Sequence, residues 1–263
     1  MDKRTRPIGQ PLFRKKISTN NAWLYRGPKR SAPKDTQALY GHIFTVFKAE
    51  SRWSYGQLQS PITGNETPGY VGWILNKSLG EPESSTHRII VLAGPVFKGP
   101  DIKSSVQDLL PLGAHISVSA CDNKFAKTNR GYVPLNYLAE RECDYVDDFV
   151  KIAEAHLGRP YIWAGISSEG LDCSGLVLSA LRAAGMDSPR DADMQEAHLG
   201  DDAALPYERG DLIFWPGHVG IMRDADTLLH ANAHHMQVAS EPLSEAINRI
   251  GPIRTVKRIN VHA

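Results

Sequence analysis

Gly170-Leu171-Asp172-Cys173-Ser174-Gly175-Leu176-Val177 sets a cysteine, flanked by small and polar residues, at the head of an apolar run. Leu176, Val177, Ala180, Leu181 and Ala184 recur at helical spacing and Gly185 follows as a stop, so the pattern predicts a helix over 173–184. A thiol in the first turn of that helix lies over unsatisfied backbone N–H groups and the positive end of the dipole, which favours the thiolate. A buried structural cysteine is the alternative for any lone thiol. Asp172, Ser174 and Gly175 argue against a wholly apolar setting.

Downstream, Leu212–Trp215, His218–Met222 and Thr227–Ala231 read as strands. If the last two form a hairpin, its turn is Arg223-Asp224-Ala225-Asp226, centred at residue 224. His218 then stands opposite His230, with both side chains on one face. One imidazole can take the thiol proton while the other fixes its tautomer, giving a nucleophile, a base and an orienting group. His234 and His235 follow closely in sequence, so a metal site has to be weighed. His230 and His234 share a face only on a helix, whereas this stretch begins as a strand. Neither HExxH nor carboxylates at ligand spacing accompany them, and no metal is expected.

Upstream of the cysteine, Val146, Phe149, Val150, Ala153 and Leu157 mark a helix that Gly158 and Pro160 stop. Helices followed by an antiparallel sheet make residues 144–263 an α+β domain. The first 140 residues have a different rhythm. Ile43-Phe44-Thr45-Val46-Phe47, Trp53–Leu58 and Gly69-Tyr70-Val71-Gly72-Trp73-Ile74 are short β-rich runs separated by turn residues. After Gly80-Glu81-Pro82 the rhythm returns at His87–Leu92, Ala114–Ser119 and Gly131-Tyr132-Val133-Pro134-Leu135. Each set closes on a Gly-Tyr-Val step. The pattern predicts an extension over 1–16, a small all-β barrel over 17–80 and a second over 86–140, each too small to hold a large core alone.

The 263 residues carry 30 Lys+Arg against 29 Asp+Glu, a net charge of +1, which argues against a nucleic-acid partner. Hydrophobic content of 41% and charged content of 22% exclude a disordered chain. Three cysteines, Cys121, Cys143 and Cys173, are too few and too oddly numbered for a disulfide framework and suit a reducing compartment. Basic residues near Met1 lead into no apolar segment, and no run reaches the roughly 18–20 apolar residues of a membrane span. The sequence reads as cytoplasmic.

Five segments occur in order at compatible spacing: Pro160-Tyr161-Ile162-Trp163-Ala164-Gly165, Asp172-Cys173-Ser174-Gly175, Arg209–Trp215, Gly217-His218-Val219-Gly220-Ile221 and His230-Ala231. Together they resemble the NlpC/p60 family of papain-like cysteine peptidases, which cut peptidoglycan stem peptides. The upstream region resembles the bacterial SH3-like domains of dipeptidyl-peptidase VI-type members. The implied fold is two SH3-like barrels followed by an α+β papain-like domain. The resemblance implies Cys173 as nucleophile, His218 as general base, His230 as orienting residue and Tyr161 as an oxyanion donor. It implies substrate contacts from Trp163, Asp172, Ser174, Arg190 and Asp191, with Tyr70 narrowing the site. Core packing is the alternative for Tyr161 and Tyr70, and a solvated loop charge is the alternative for Arg190. The chain departs from the family pattern at Ala164 and Ala192, where glycine and serine are usual, and at His42, where many members have a glutamate.

The expected activity is hydrolysis of the γ-D-glutamyl–diamino acid bond in a murein-derived short peptide, L-Ala-γ-D-Glu-diaminopimelate, during cell-wall recycling. No cofactor is implied. Two other readings are an exported hydrolase of intact murein and a non-catalytic cell-wall ligand-binding protein.

Overall fold

Short β-branched and aromatic runs, cut by Gly and Pro, become strands throughout the first half of the chain. The computed structural model describes residues 2–62, 68–143 and 145–259. It falls into two units, Met1–Asp144 and Tyr145–Ala263. The expected domain boundary at 144, and residues 1 and 260–263, lie outside the described residues. Among the described residues no helix is long and apolar enough to cross a membrane.

In the first unit a seven-stranded sheet runs in the order Lys34–Leu39, Asn21–Tyr25, Val71–Leu75, Trp53–Leu58, Ile43–Ala49, Phe13–Ile17, Leu79–Gly80. Phe44, Val46 and Ile74 alternate with half-buried neighbours and are fully buried. Phe13–Ile17 pairs antiparallel with Ile43–Ala49, so this strand starts inside the stretch expected as an extension. Its sequence Phe-Arg-Lys-Lys-Ile hides the apolar alternation behind three cations.

A second set of strands follows in the same unit. Five make one sheet in the order Val106–Pro111, Ala93–Phe97, Gly131–Pro134, Phe125–Thr128, Val118–Cys121. Three more, His115–Ile116, His87–Ile89 and Leu138–Glu140, make another. Ile89, Val96, Leu110, Ile116 and Val133 form their core, and Tyr40 from the first set joins it. His42 is also turned towards this set, with Nε2 3.1 Å from the Gly113 carbonyl oxygen.

The second unit is built on a six-stranded sheet in the order Asp201–Asp202, Thr255–Arg258, Leu212–Trp215, His218–Met222, Thr227–Asn232, Gln237–Pro242. Its helices are α1 (Phe149–Ala155), α2 (Cys173–Ala183), α3 (Ala192–His198) and α4 (Leu243–Ile250). Alternation along each strand feeds two cores. Leu212, Phe214, Val219, Ile221, Leu229, Ala231 and Val238 pack with α1 and α2. Ile213, Trp215, Met222 and Leu228 pack with Leu243 and Ala246 of α4 on the other face. Coverage on both faces explains why Leu212–Trp215 is apolar at every position.

Candidate active site

The Asp-Cys-Ser-Gly turn is a helix start whose residue types each answer a local need. Asp172 is the N-cap of α2, and its Oδ1 accepts from the Gly175 N–H at 2.7 Å. Its Oδ2 accepts from the Ala164 N–H at 2.8 Å, tying the Trp163-Ala164-Gly165 loop to the helix. Gly175 lets that loop come close, since a Cβ there would lie 2.1 Å from the Gly165 carbonyl oxygen. Arg190 closes the arrangement. Its Nη1 donates to Asp172 Oδ1 and to Ser174 Oγ, both at 2.9 Å, and its Nη2 donates to Asp172 Oδ2 at 2.7 Å. Asp172, Ser174 and Arg190 are all buried. Their arrangement is a bidentate ion pair beneath Cys173, which corrects the picture of Arg190 as a solvated loop charge. Gln195 of α3 adds a bond from Nε2 to the Ser174 carbonyl oxygen at 3.0 Å.

Cys173 is therefore held rigidly, and it is 8% exposed. Burial pushes its thiol up to about 11 and the Asp172 charge adds to the shift. The Val219 and Ser174 backbone N–H groups and the Arg190 charge pull the other way. This corrects the expectation of a resting thiolate, because desolvation outweighs the helix start. The Val219 contact also sets the sulfur beside the residue that follows His218. Tyr161 lies near the same group. Burial raises the pKa of its hydroxyl, as do the charges of Cys173 and Asp172, so it stays a proton donor. Its segment is held by a bridge to Leu171 and by the Tyr161 N–H on the Met236 carbonyl oxygen at 3.0 Å. Trp163 is 66% exposed, and Ala164 adopts a φ of 67° where glycine would be unstrained.

The two histidines meet, though not by the expected register. Ile221 pairs with Leu229 and Met222 with Leu228. That centres the hairpin at 225, sets Asn232 opposite His218 and leaves His230 as its diagonal neighbour on the same face. The diagonal is within reach of large rings. Gly220 keeps the space between them open, because a Cβ there would lie 2.7 Å from Leu228 Cδ1 and 3.3 Å from His230 Cβ. His218 Nε2 lies 2.9 Å from His230 Nδ1, and His230 Nε2 lies 2.7 Å from Glu241 Oε1.

These contacts assign the protons. A carboxylate only accepts, so His230 carries its proton on Nε2 and presents an unprotonated Nδ1. His218 must then donate from Nε2, which leaves a lone pair free on Nδ1. Burial holds His218 down at about 3, with His230 and Arg249 adding to the effect and Glu241 opposing it. Burial likewise holds His230 at about 4 against the pull of Glu241. At rest the thiol and both imidazoles are neutral.

Glu241 and Arg249 were not among the expected site residues. Arg249 Nη1 donates to Glu241 Oε2 at 2.8 Å and Nη2 reaches Oε1. That hydrogen bond, assisted by the one from His230, outweighs burial and holds the carboxyl at about 2. The donor atoms of His230, His235 and Glu241 lie within 4.8 Å of one another. The His230–Glu241 separation is a hydrogen bond, however, and the guanidinium already neutralises the carboxylate. Proton sharing, not ligation, describes this cluster. Of the remaining expected residues, Asp191 precedes α3 as its N-cap residue, with its backbone oxygen accepting from the Met194 and Gln195 N–H groups. Tyr70 belongs to the first unit, where it is 4% exposed.

Residues 158–249 match the NlpC/P60 family, and residues 24–79 match the bacterial dipeptidyl-peptidase Sh3 domain. A curated relative, the gamma-D-glutamyl-L-lysine dipeptidyl-peptidase of Bacillus subtilis (strain 168), is 27% identical over 232 residues, covering 81% of this chain and 77% of that protein. A protein of the same name from Bacillus cereus (strain ATCC 10987 / NRS 248) is 27% identical over 201 residues, covering 69% of this chain and 60% of its own length. Among solved structures, an NlpC/P60 family protein from Bacillus cereus ATCC 10987 aligns with a TM-score of 0.79 at 20% identity, covering 94% of this chain and 99% of that one. That likeness is one of fold.

Proposed function

We infer that this chain, which carries an NlpC/P60 domain behind a bacterial dipeptidyl-peptidase SH3 domain, is a cysteine peptidase that hydrolyses peptidoglycan stem peptides. The bond is the one joining γ-D-glutamate to the diamino acid of L-Ala-γ-D-Glu-diaminopimelate. The observation that carries this reading is the hydrogen-bonded His218–His230 pair, whose proton order leaves a free lone pair on His218 Nδ1. Similarity to proteins named for the γ-D-glutamyl-L-lysine bond supports the choice of linkage.

In this mechanism His218 Nδ1 takes the proton of Cys173, and the sulfur attacks the γ-glutamyl carbonyl carbon. The Tyr161 hydroxyl and backbone N–H groups at the start of α2 receive the oxyanion. The imidazolium of His218 protonates the departing amine, and water, deprotonated by the same ring, clears the thioester. Asp172 and Arg190 hold the nucleophile turn, and the exposed Trp163 offers a face to the peptide.

The region 86–140 is read as a second SH3-like barrel. In both β sets a strand runs through a 3-10 turn into a short strand: Val71–Leu75, Asn76–Ser78, Leu79–Gly80 and Gly131–Pro134, Leu135–Tyr137, Leu138–Glu140. A place in cytoplasmic recycling belongs to the same proposal. Three free thiols favour a reducing compartment. The purified chain incubated with the diaminopimelate and lysine tripeptides should release L-Ala-γ-D-Glu, and Cys173→Ala should not. Equal absence of cleavage by both proteins sinks the reading.

A further inference from the structure

We propose that Glu241, clamped by Arg249, is a positioning residue of the catalytic centre, one that dictates which nitrogen of each histidine carries the proton. The proposal rests on the cysteine-peptidase reading and extends it beyond Cys173, His218 and His230.

The geometry is a staircase across three adjacent strands. His218 lies on the first, and His230 on the second is its diagonal partner. The strand Gln237–Pro242 is the third, where Ala239 pairs directly with His230 and Leu228 pairs with Glu241. Glu241 is thus the diagonal neighbour of His230 on the face that carries α4. Each step is one hydrogen bond, 2.9 Å and then 2.7 Å. Both His230 and Glu241 are buried, at 0% and 7% exposure. A buried carboxylate with one oxygen on an imidazole and both on a guanidinium has no rotational freedom left.

The consequence follows from counting donors. Without a carboxylate at 241, His230 can hold its proton on Nδ1 and direct it at His218. His218 then accepts at Nε2 and must carry its own proton on Nδ1, the atom that has to receive the thiol hydrogen. That tautomer cannot act as the base. With Glu241 in place the order is single: the Cys173 proton moves to His218 Nδ1, while the other two protons stay on His218 Nε2 and His230 Nε2. The negative charge of Glu241 also steadies the imidazolium that this transfer creates, as a carboxylate behind a catalytic histidine does elsewhere. Arg249 acts in opposition on charge and in support on geometry. It keeps Glu241 ionised and oriented, yet its own positive charge disfavours the imidazolium. The other groups facing the relay are His235, whose ring lies 6.5 Å from that of His230, and Glu245, which interacts with Arg249.

Glu241→Gln and Arg249→Met separate these effects. In the glutamine variant the amide can offer its NH2 to His230 and enforce the wrong tautomer. Its kcat should fall by about 10-fold or more, towards the roughly 10⁴-fold loss caused by an amide that enforces the wrong tautomer behind a catalytic histidine. KM should stay unchanged, because residue 241 is buried away from the peptide, and the acid limb of the pH–rate profile should move down. Arg249→Met keeps the carboxylate and removes the opposing charge, so its acid limb should move up. Opposite shifts are not what a general loosening produces.

A second readout needs no peptide. The rate at which iodoacetamide alkylates Cys173, followed by mass spectrometry of its tryptic peptide, should drop in Glu241→Gln at fixed pH. A folded Glu241→Gln with wild-type kcat, pH profile and alkylation rate overturns the proposal. So do shifts of the same sign in both variants, or a rise in KM that accounts for the lost activity. If Glu241→Gln is too unstable to assay, an acid limb in Arg249→Met that stays at its wild-type position is by itself a refutation. Should wild type fail to cleave any tripeptide, the peptidase reading falls while the alkylation profile still reports on the relay.

Discussion

Arg190 joins the Asp172-Cys173 turn to the loop before α3 through a buried ion pair with Asp172. Removing one partner of such a pair leaves an uncompensated charge in the interior, which costs about 3–5 kcal/mol. Arg190→Met should therefore lower the unfolding free energy by that amount in a urea titration, and activity should fall with it. A variant of unchanged stability with only a raised KM would instead make Arg190 a substrate contact. Residues of this kind show how far a sequence can be read. The placement of Cys173 at a helix start and of His218 and His230 on neighbouring strands was legible, because residue type and apolar spacing carry it. Glu241 was not. In Gln237-Val238-Ala239-Ser240-Glu241-Pro242 it looks like the solvated side of an edge strand, and only the pairing register brings it behind His230.

At the scale of elements, α2 begins where it does because Asp172 caps it and Gly175 lets the preceding loop touch its first turn. Gly175→Ala must displace the Gly165 carbonyl, and overpacking of this sort costs about 1–3 kcal/mol. The expected result is a large loss of kcat with helix content retained by circular dichroism, since the sulfur moves relative to His218 while the helix survives. Ser179→Ala, on the same helix and away from that contact, should leave both unchanged. The helix over 173–184 could be anticipated almost to the residue, because its caps and its apolar stripe agree. The hairpin was anticipated in kind, but its centre fell one residue off, since no turn motif in Arg223-Asp224-Ala225-Asp226 fixes the loop length. Helix α4 went unread. Its eight residues carry Leu243, Ala246 and Ile247 at helical spacing, but a run so short becomes a helix only through packing on the sheet.

For the molecule as a whole, the second unit holds three histidines in their neutral form, two of them fully buried and His218 half-buried. His156 is held at about 4 by burial, against an ordinary value of 6.5. His218 and His230 are depressed for the same reason. On unfolding all three regain the ordinary value, so between that value and the folded ones the unfolded chain binds more protons. Their contribution to stability is complete above pH 6.5 and is lost as pH falls through 4, and for His218 on towards 3. Glu241 extends the loss, because its folded value of about 2 lies below the ordinary 4.5 and its ion pair weakens in that lower window. Calorimetry should show the unfolding transition of this unit moving down by several degrees, roughly 5 °C or more, between pH 7 and pH 4. A midpoint independent of pH over that range would contradict the burial of these rings as neutral species. The division into a β-rich first half and an α+β second half was plain from the change of apolar period near residue 145. The seven-stranded sheet was less so, because Phe13–Ile17 is written mostly in cations.

The covered, protonated state of Cys173 bears on how the protein ages in air. Peroxide reacts with thiolate and needs access to it, and Cys173 at rest offers little of either. Cys121 and Cys143 are exposed. Oxidative damage consumes those two surface thiols first, so a preparation can lose most of its reagent-titratable sulfhydryl content while its turnover endures.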